Sequence, residues 1–191
     1  EDIKDDMMRV ASGTSNVFTA EDPVMFAQTS GTTGDPKFVP VTPTDRGTAH
    51  SDQMRTWLYH AQKAHPGILD HKIVSLVSPA IEGYTDSGLP FGSTSGHIYK
   101  NMPGGVQRAY SIPYRVFEIE DYQAKYYTIM RISLEHDVRF LATANPSSII
   151  KLCDKADTHA EQLIRDIHDG SLSKTLDIEP EIRQLLEKKL R

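Results

Sequence analysis

The chain has 191 residues, a formal net charge of −5, ordinary apolar and charged content, and one cysteine. That length can bury a real core. The negative balance offers no broad attraction to nucleic acid or anionic lipid, no run approaches a membrane span, and Cys153 alone cannot form an intrachain disulfide. With no signal peptide at the start, the expected compartment is the cytoplasm.

Residues 1–22 are polar, with Met7, Met8 and Val10 as apolar marks, and read as a helix followed by a loop through Gly13-Thr14-Ser15-Asn16. Residues 24–29 and 38–41 are apolar runs expected to be strands. Between them stand Thr29, Ser30, Gly31, Thr32, Thr33, Gly34, Asp35, Pro36 and Lys37. Glycines let consecutive N–H groups turn toward one point and form an anion nest. Four hydroxyls add donors, Pro36 stiffens the exit, and Lys37 brings a mobile positive charge. The spacing is not that of a Walker loop, which needs four residues between its glycines and a Lys directly after the second. An ordinary Gly/Ser/Thr turn is the alternative. The density of hydroxyls, with two glycines and a lysine, favours a phosphate loop held between two strands.

A helix should start at 42–45, capped by Thr42 or Thr44, and continue through Met54, Trp57, Leu58 and Ala61 to Pro66-Gly67. His50, His60 and His65 do not form the His-Glu-x-x-His pattern of a zinc enzyme, and no metal ligand set is assigned. Residues 72–77 read as a buried strand. A long loop with Gly83, Gly88, Gly92 and Gly96 follows, of a length often tied to function. Its Gly92-Ser93-Thr94-Ser95-Gly96 run has Thr where a nucleophile elbow needs Ser, which argues against a serine hydrolase. His97-Ile98-Tyr99 suggests a short strand, and Pro103-Gly104-Gly105 a turn.

Glu118, Glu120 and Asp121 precede a periodic helix with Tyr122, Tyr126, Ile129, Met130 and Ile132. Carboxylates at a helix start favour its dipole, and the tyrosines read as core packing. Residues 138–142 read as a strand buried on both faces. Asn145-Pro146 predicts a cap with proline at the first helical position. A second helix should run from about 158 to Gly170. Glu179-Pro180 opens a last amphipathic helix whose Ile182, Leu185, Leu186 and Leu190 have no evident partner. That helix is expected to self-associate with a neighbouring chain or to fray. The sum is an α/β fold with a mixed β-sheet flanked by helices, read as a single domain over 1–191.

The run from Thr29 to Lys37 resembles the phosphate-binding signature of adenylate-forming enzymes. Glu1-Asp2-Ile3-Lys4, Arg9-Val10-Ala11-Ser12-Gly13 and Leu163-Ile164-Arg165-Asp166-Ile167-His168-Asp169-Gly170-Ser171-Leu172 resemble the auxin-responsive GH-three family of acyl acid amido synthetases. Ala144-Asn145-Pro146-Ser147-Ser148 and the Thr-Thr-Gly form of the loop are similar to its bacterial members. The resemblance implies an excerpt from the front half of a larger acyl-adenylating domain, inactive alone, whose adenine- and ribose-gripping parts lie elsewhere. It implies ATP and Mg²⁺, a small carboxylic acid, and an amine such as an amino acid as acceptor. Thr29, Ser30, Gly31, Thr32, Thr33 and Gly34 would hold the phosphates, and Lys37 would be the catalytic cation. A coenzyme A ligase sharing the adenylation step and a nucleotide-binding module without turnover are the alternatives.

Overall fold

The computed structural model describes residues 3–29 and 37–190; for residues 29 and 48–50 it describes the backbone alone. In chain order the elements are α1 (Lys4–Ala11), β1 (Met25–Thr29), β2 (Lys37–Val41), a π-helical turn (Asp45–Ala49), α2 (His50–Ala64), β3 (Lys72–Leu76), β4 (Gly83–Tyr84), β5 (Pro90–Gly92) and α3 (Thr94–Lys100). There follow α4 (Gly104–Gln107), a 3₁₀ turn (Tyr114–Glu118), α5 (Tyr122–Leu134), β6 (Val138–Thr143), α6 (Ser147–Thr158), α7 (Ala160–His168) and α8 (Pro180–Glu187). This is the expected α/β fold. The chain forms two compact units, residues 1–65 with 78–101, and residues 66–77 with 102–191.

The first unit is built on a mixed sheet of order β2-β1-β5-β4. Apolar side chains at alternate strand positions share one face. Phe26 is fully buried on that face and gathers Val10 and Ala11 of α1 with Phe38, Leu89 and Phe91. The rings of Phe26 and Phe38 lie edge to face at 6.0 Å, and those of Phe38 and Phe91 are tilted at 4.9 Å. Such pairs stabilise beyond the area they bury, by about 0.5–1.5 kcal/mol each. The far end of the β1–β2 hairpin is clasped by Glu21, whose carboxylate accepts from the Thr44 hydroxyl at 2.6 Å and the Thr44 amide at 3.2 Å. These bonds hold its pKa below the usual carboxylate range. Thr42 provides the cap, its Oγ1 accepting from the Asp45 amide at 3.2 Å. Along α2, Met54 and Trp57 are exposed, so its apolar spacing does not bury them within this chain.

The second unit pairs β3 with β6 in parallel and packs α5 against α6 and α7. Its interior holds an ionic knot. Arg131 is fully buried, with Nη1 2.5 Å from Glu135 Oε1. Its Nη2 donates to the Asp166 carbonyl at 2.8 Å and its Nε to the Ser171 carbonyl at 3.1 Å. The Asp166 carboxylate accepts from Tyr127 Oη and the Ser173 amide, each at 2.8 Å. Burial, then Asp166, drives the Tyr127 hydroxyl well above the ordinary tyrosine range, which keeps it a donor. Asp121 caps α5, accepting from the Ala124 amide at 2.6 Å. At α6, Asn145 Oδ1 accepts from the Ser147 amide at 3.0 Å while Pro146 has helical angles, as the Asn-Pro pair predicts.

Four expectations change here. Residues His97, Ile98 and Tyr99 lie in helix α3, not a strand, because the Ser93 cap commits the chain to helix before their β-propensity acts. Strand β6 is not buried on both faces: Arg139 and Leu141 are exposed and alternate with half-buried Val138, Phe140 and Ala142. Of the tyrosines on α5, Tyr127 is the buried one, whereas Tyr122 is exposed with Lys151 Nζ 5.1 Å from its ring centre. The face of α8 is not left open. Ile182 and Leu186 are buried within this chain, and Arg183 donates to the carbonyls of Leu172, Ser173 and Leu176. The segment before α8 packs on the helix locally, while Leu185 and Leu190 are half-buried.

Removing one partner of a buried pair leaves the other charge uncompensated, at a cost of about 3–5 kcal/mol. Arg131→Met should lose stability on that scale by chemical denaturation, because Glu135 is itself almost fully buried. A loss under about 1 kcal/mol would mean the knot relaxes or hydrates without penalty.

Candidate functional site

The site is organised by the hairpin. Strands β1 and β2 pair antiparallel from Met25↔Val41 to Thr29↔Lys37. Thr29 ends β1, Lys37 opens β2, and residues 30–36 join them, so the two ends of the loop are fixed opposite each other. The Lys37 side chain is exposed. Ser30, Gly31, Thr32, Thr33 and Gly34 lie outside the described residues. The two flanking strands are as the sequence predicts.

On its other edge β1 pairs with β5 in parallel, Phe26 beside Phe91 and Ala27 beside Gly92. Parallel strands finish at the same end of a sheet. The chain leaving β5 therefore emerges beside the root of the loop. In open α/β sheets ligands bind outside the carboxyl ends of such strands. Here that end receives Ser93, Thr94 and Ser95. Ser93 Oγ accepts from the Gly96 amide at 3.2 Å and lies 2.7 Å from Ser95 Oγ. The strand–turn–helix frame that an elbow needs is present in β5–Ser93–α3, which the sequence did not show. Thr94 still stands at its centre, and the flanking serines pair with each other and with the helix.

Two glycines permit this arrangement. A Cβ on Gly92 would stand 2.5 Å from the Ala80 carbonyl oxygen, and one on Gly96 only 2.0 Å from that of Ser78. The backbone of 78–80 thus lies directly against β5 and α3, tied by the Ser93 amide donating to the Pro79 carbonyl at 3.0 Å.

Along α3, His97 is partly buried, and its pKa is pushed down first by desolvation and then by the positive charges of Arg46 and Lys100. Its ring is neutral near pH 7, with Nε2 3.2 Å from Asn101 Nδ2. Among the described residues no group of three or more His, Cys, Asp or Glu could hold a metal ion, and no helix is long and apolar enough to cross a membrane.

Sequence reasoning did not assign a role to Gln28. It stands opposite Phe38 in the ladder, and its Oε1 is buried with no hydrogen-bond partner among the described residues. The signal was available: Gln28 shares the strand parity of buried Phe26, so a polar group falls on the core-facing side.

The lowered pKa of His97 makes a pH prediction. The unfolded chain, with imidazoles near about 6.5, binds a proton that the folded chain refuses. Stability from this group is fully present above that value and is lost as pH falls through the folded pKa. An NMR titration should place the His97 midpoint below about 6.5, and His97→Gln should flatten the acid limb of the stability curve. A midpoint above the ordinary value would contradict the burial and charge described.

Solved structures that share this fold include two acyl acid amido synthetases. One is titled AtGH3.15 acyl acid amido synthetase in complex with 2,4-DB, with a TM-score of 0.75 and 20% identity over 98% of this chain and 36% of that one. The other is titled GH3.15 acyl acid amido synthetase, with a TM-score of 0.74 and 19% identity over 98% of this chain and 33% of that one. This chain thus spans about a third of the length of each. No curated protein sequence matches it. The model of the GH3 family N-terminal domain matches residues 1–191, and the chain belongs to that family.

Proposed function

We propose that this chain carries the phosphate-gripping portion of an ATP-dependent acyl acid ligase, as part of a longer adenylating domain of bacterial type, working in the cytoplasm. The observation that carries the reading is the hairpin whose last pair, Thr29↔Lys37, fixes both ends of the Gly/Ser/Thr segment at the edge of a mixed sheet where parallel β1 and β5 end. Membership in the GH3 family and the fold shared with acyl acid amido synthetases support it.

In this reading a carboxylate oxygen of the acid attacks the α-phosphorus of ATP. The bond from that phosphorus to the bridging oxygen breaks, giving an acyl-adenylate and pyrophosphate. An amine then attacks the acyl carbon, loses a proton, and expels AMP to leave an amide. The first step depends on positioning and on stabilising charge at the departing pyrophosphate. The hydroxyls of Thr29, Ser30, Thr32 and Thr33 and the amides around Gly31 and Gly34 would donate to phosphate oxygens. Lys37, exposed at the start of β2, would neutralise the outer phosphates. Mg²⁺ would enter with ATP, held mainly by phosphates and water, and would supply charge neutralisation there.

Hydrogen bonds to charged groups contribute about 1.5–3 kcal/mol each, so losing one in the transition state should slow adenylation roughly tenfold to a hundredfold. In the complete protein, Lys37→Ala and Thr32→Val should each reduce acid-dependent pyrophosphate exchange on that scale without lowering thermal stability. Folded variants that exchange at the parent rate would reduce the loop to a turn. The 191 residues alone should exchange pyrophosphate at background across a panel of acids, and clear acid-dependent exchange would show a complete site within them. The acceptor is read by offering an amino acid or coenzyme A to the complete protein: amide formation supports the proposal, and thioester alone replaces it with a coenzyme A ligase.

A further inference from the structure

Helix α2 carries two faces of opposite character, and both reach solvent. Asp52, Arg55, Tyr59 and Lys63 fall on one face at helical spacing, while Met54, Trp57, Leu58 and Ala61 fall on another. The first is an ordinary solvated face, with Arg55 Nη1 3.4 Å from Asp52 Oδ1. The second is apolar over two turns, about 10 Å of helix. Yet Met54 is 39% exposed and Trp57 51%, against 63% for Tyr59 on the polar side. Leu58 and Ala61 are half-buried, and no described side chain of α2 is fully buried. A helix in a protein takes most of its stability from a packed apolar face, and this one leaves such a face wet.

We propose that the Met54–Trp57 face of α2 is an interface within the complete protein, covered by an apolar surface of the same polypeptide from outside these 191 residues. The inference rests on the reading of this chain as part of a longer adenylating domain, and not on the reaction that domain performs. Length argues for this occupant. The two solved amido synthetases carry this fold over 98% of this chain, but the match takes up only 36% and 33% of theirs, so most of each polypeptide is further protein of the same molecule. A segment of the same polypeptide meets the face at high effective concentration, which a separate partner does not. The stripe carries no charge, so it fits the apolar side of a helix or strand and not an ionic surface. Because α2 follows β2 with Thr44 clasped by Glu21 between them, covering it also steadies the outgoing strand of the hairpin.

The test is hydroxyl-radical footprinting of the complete protein without ligand, read by mass spectrometry at Met54, Trp57 and Tyr59. The urea-unfolded protein is the reference for each residue. Met54 and Trp57 should lose most of their labelling on folding, while Tyr59 keeps most of its own. Labelling at Met54 and Trp57 as strong, relative to its reference, as at Tyr59 would overturn the proposal. Protection that disappears on dilution would assign the face to a second copy and overturn it. Protection that appears only after a carboxylic acid is added would make the face a substrate surface and overturn it as well. In a second measurement, Trp57→Glu should lower the melting temperature of the complete protein by about 5 °C or more, because a charge is forced into an apolar contact. Tyr59→Glu should change it little, and equal melting of the two variants overturns the proposal. Protected Met54 and Trp57 in a protein without acid-dependent pyrophosphate exchange would sink the ligase reading and leave this interface standing. A native protein without further residues would sink the longer-domain reading and this inference together.

Discussion

The parallel pairing of β1 with β5 is the constraint on which the site depends. Without it the Gly/Ser/Thr loop would be the tip of an isolated hairpin, which is marginal in water. With it, the loop's root is flanked by a second strand that ends at the same edge and delivers Ser93 beside it. Parallel strands cannot be joined by a tight turn. Between β1 and β5 the chain makes β2, α2, β3 and β4, leaving the first unit for residues 66–77 and returning. The close approach of 78–80 to Gly92 and Gly96 then fixes where β5 and α3 lie. Any side chain at Gly96 would meet backbone, which cannot swing aside.

The two units use different means of holding together. The first relies on an aromatic cluster under the hairpin and on the Glu21 clasp at its far end. Both grip the strands and leave the loop end polar. The second relies on buried charge. Arg131 reaches from α5 to the end of α7 and the segment after it, and Asp166 gathers Tyr127, Ser171 and Ser173 onto one carboxylate. A buried polar network of this kind fixes one arrangement, since its members lose partners if the helices slip. It also explains why the segment after α7 keeps a defined path without regular structure.

Electrostatics separates the site from the scaffold. On α3, the neutral ring of His97 stands near Arg46 and Lys100, and Lys37 projects from β2. These positive groups face solvent in a chain that is acidic overall, a placement suited to an anionic ligand. The scaffold's charges are instead internally matched, as between Arg131 and Glu135.

Local chemistry made much of the fold legible. The apolar runs on either side of the loop, the Asn-Pro helix start at Asn145, the acidic cap at Asp121 and the glycine that ends α7 each act over a few residues, so the sequence alone determined them. The expectation of a phosphate loop with its lysine rests on the same ground, a contiguous motif, and its residues 30–36 lie outside the described residues. Partners distant in sequence were not. The Ser93 cap that makes 94–100 a helix was masked by β-favouring residues. The exposed face of β6 depended on which strands lie beside it, and the burial of Ile182 and Leu186 on a segment folding back over α8. That Gln28 Oε1 is buried without a partner among the described residues could be read only in three dimensions. The sequence by itself determined most of the elements, those whose signals act over a few residues. Only the tertiary structure decided that β5 runs parallel to β1 and brings Ser93 to the loop's root, because strand pairing is set by contacts between residues far apart in the chain.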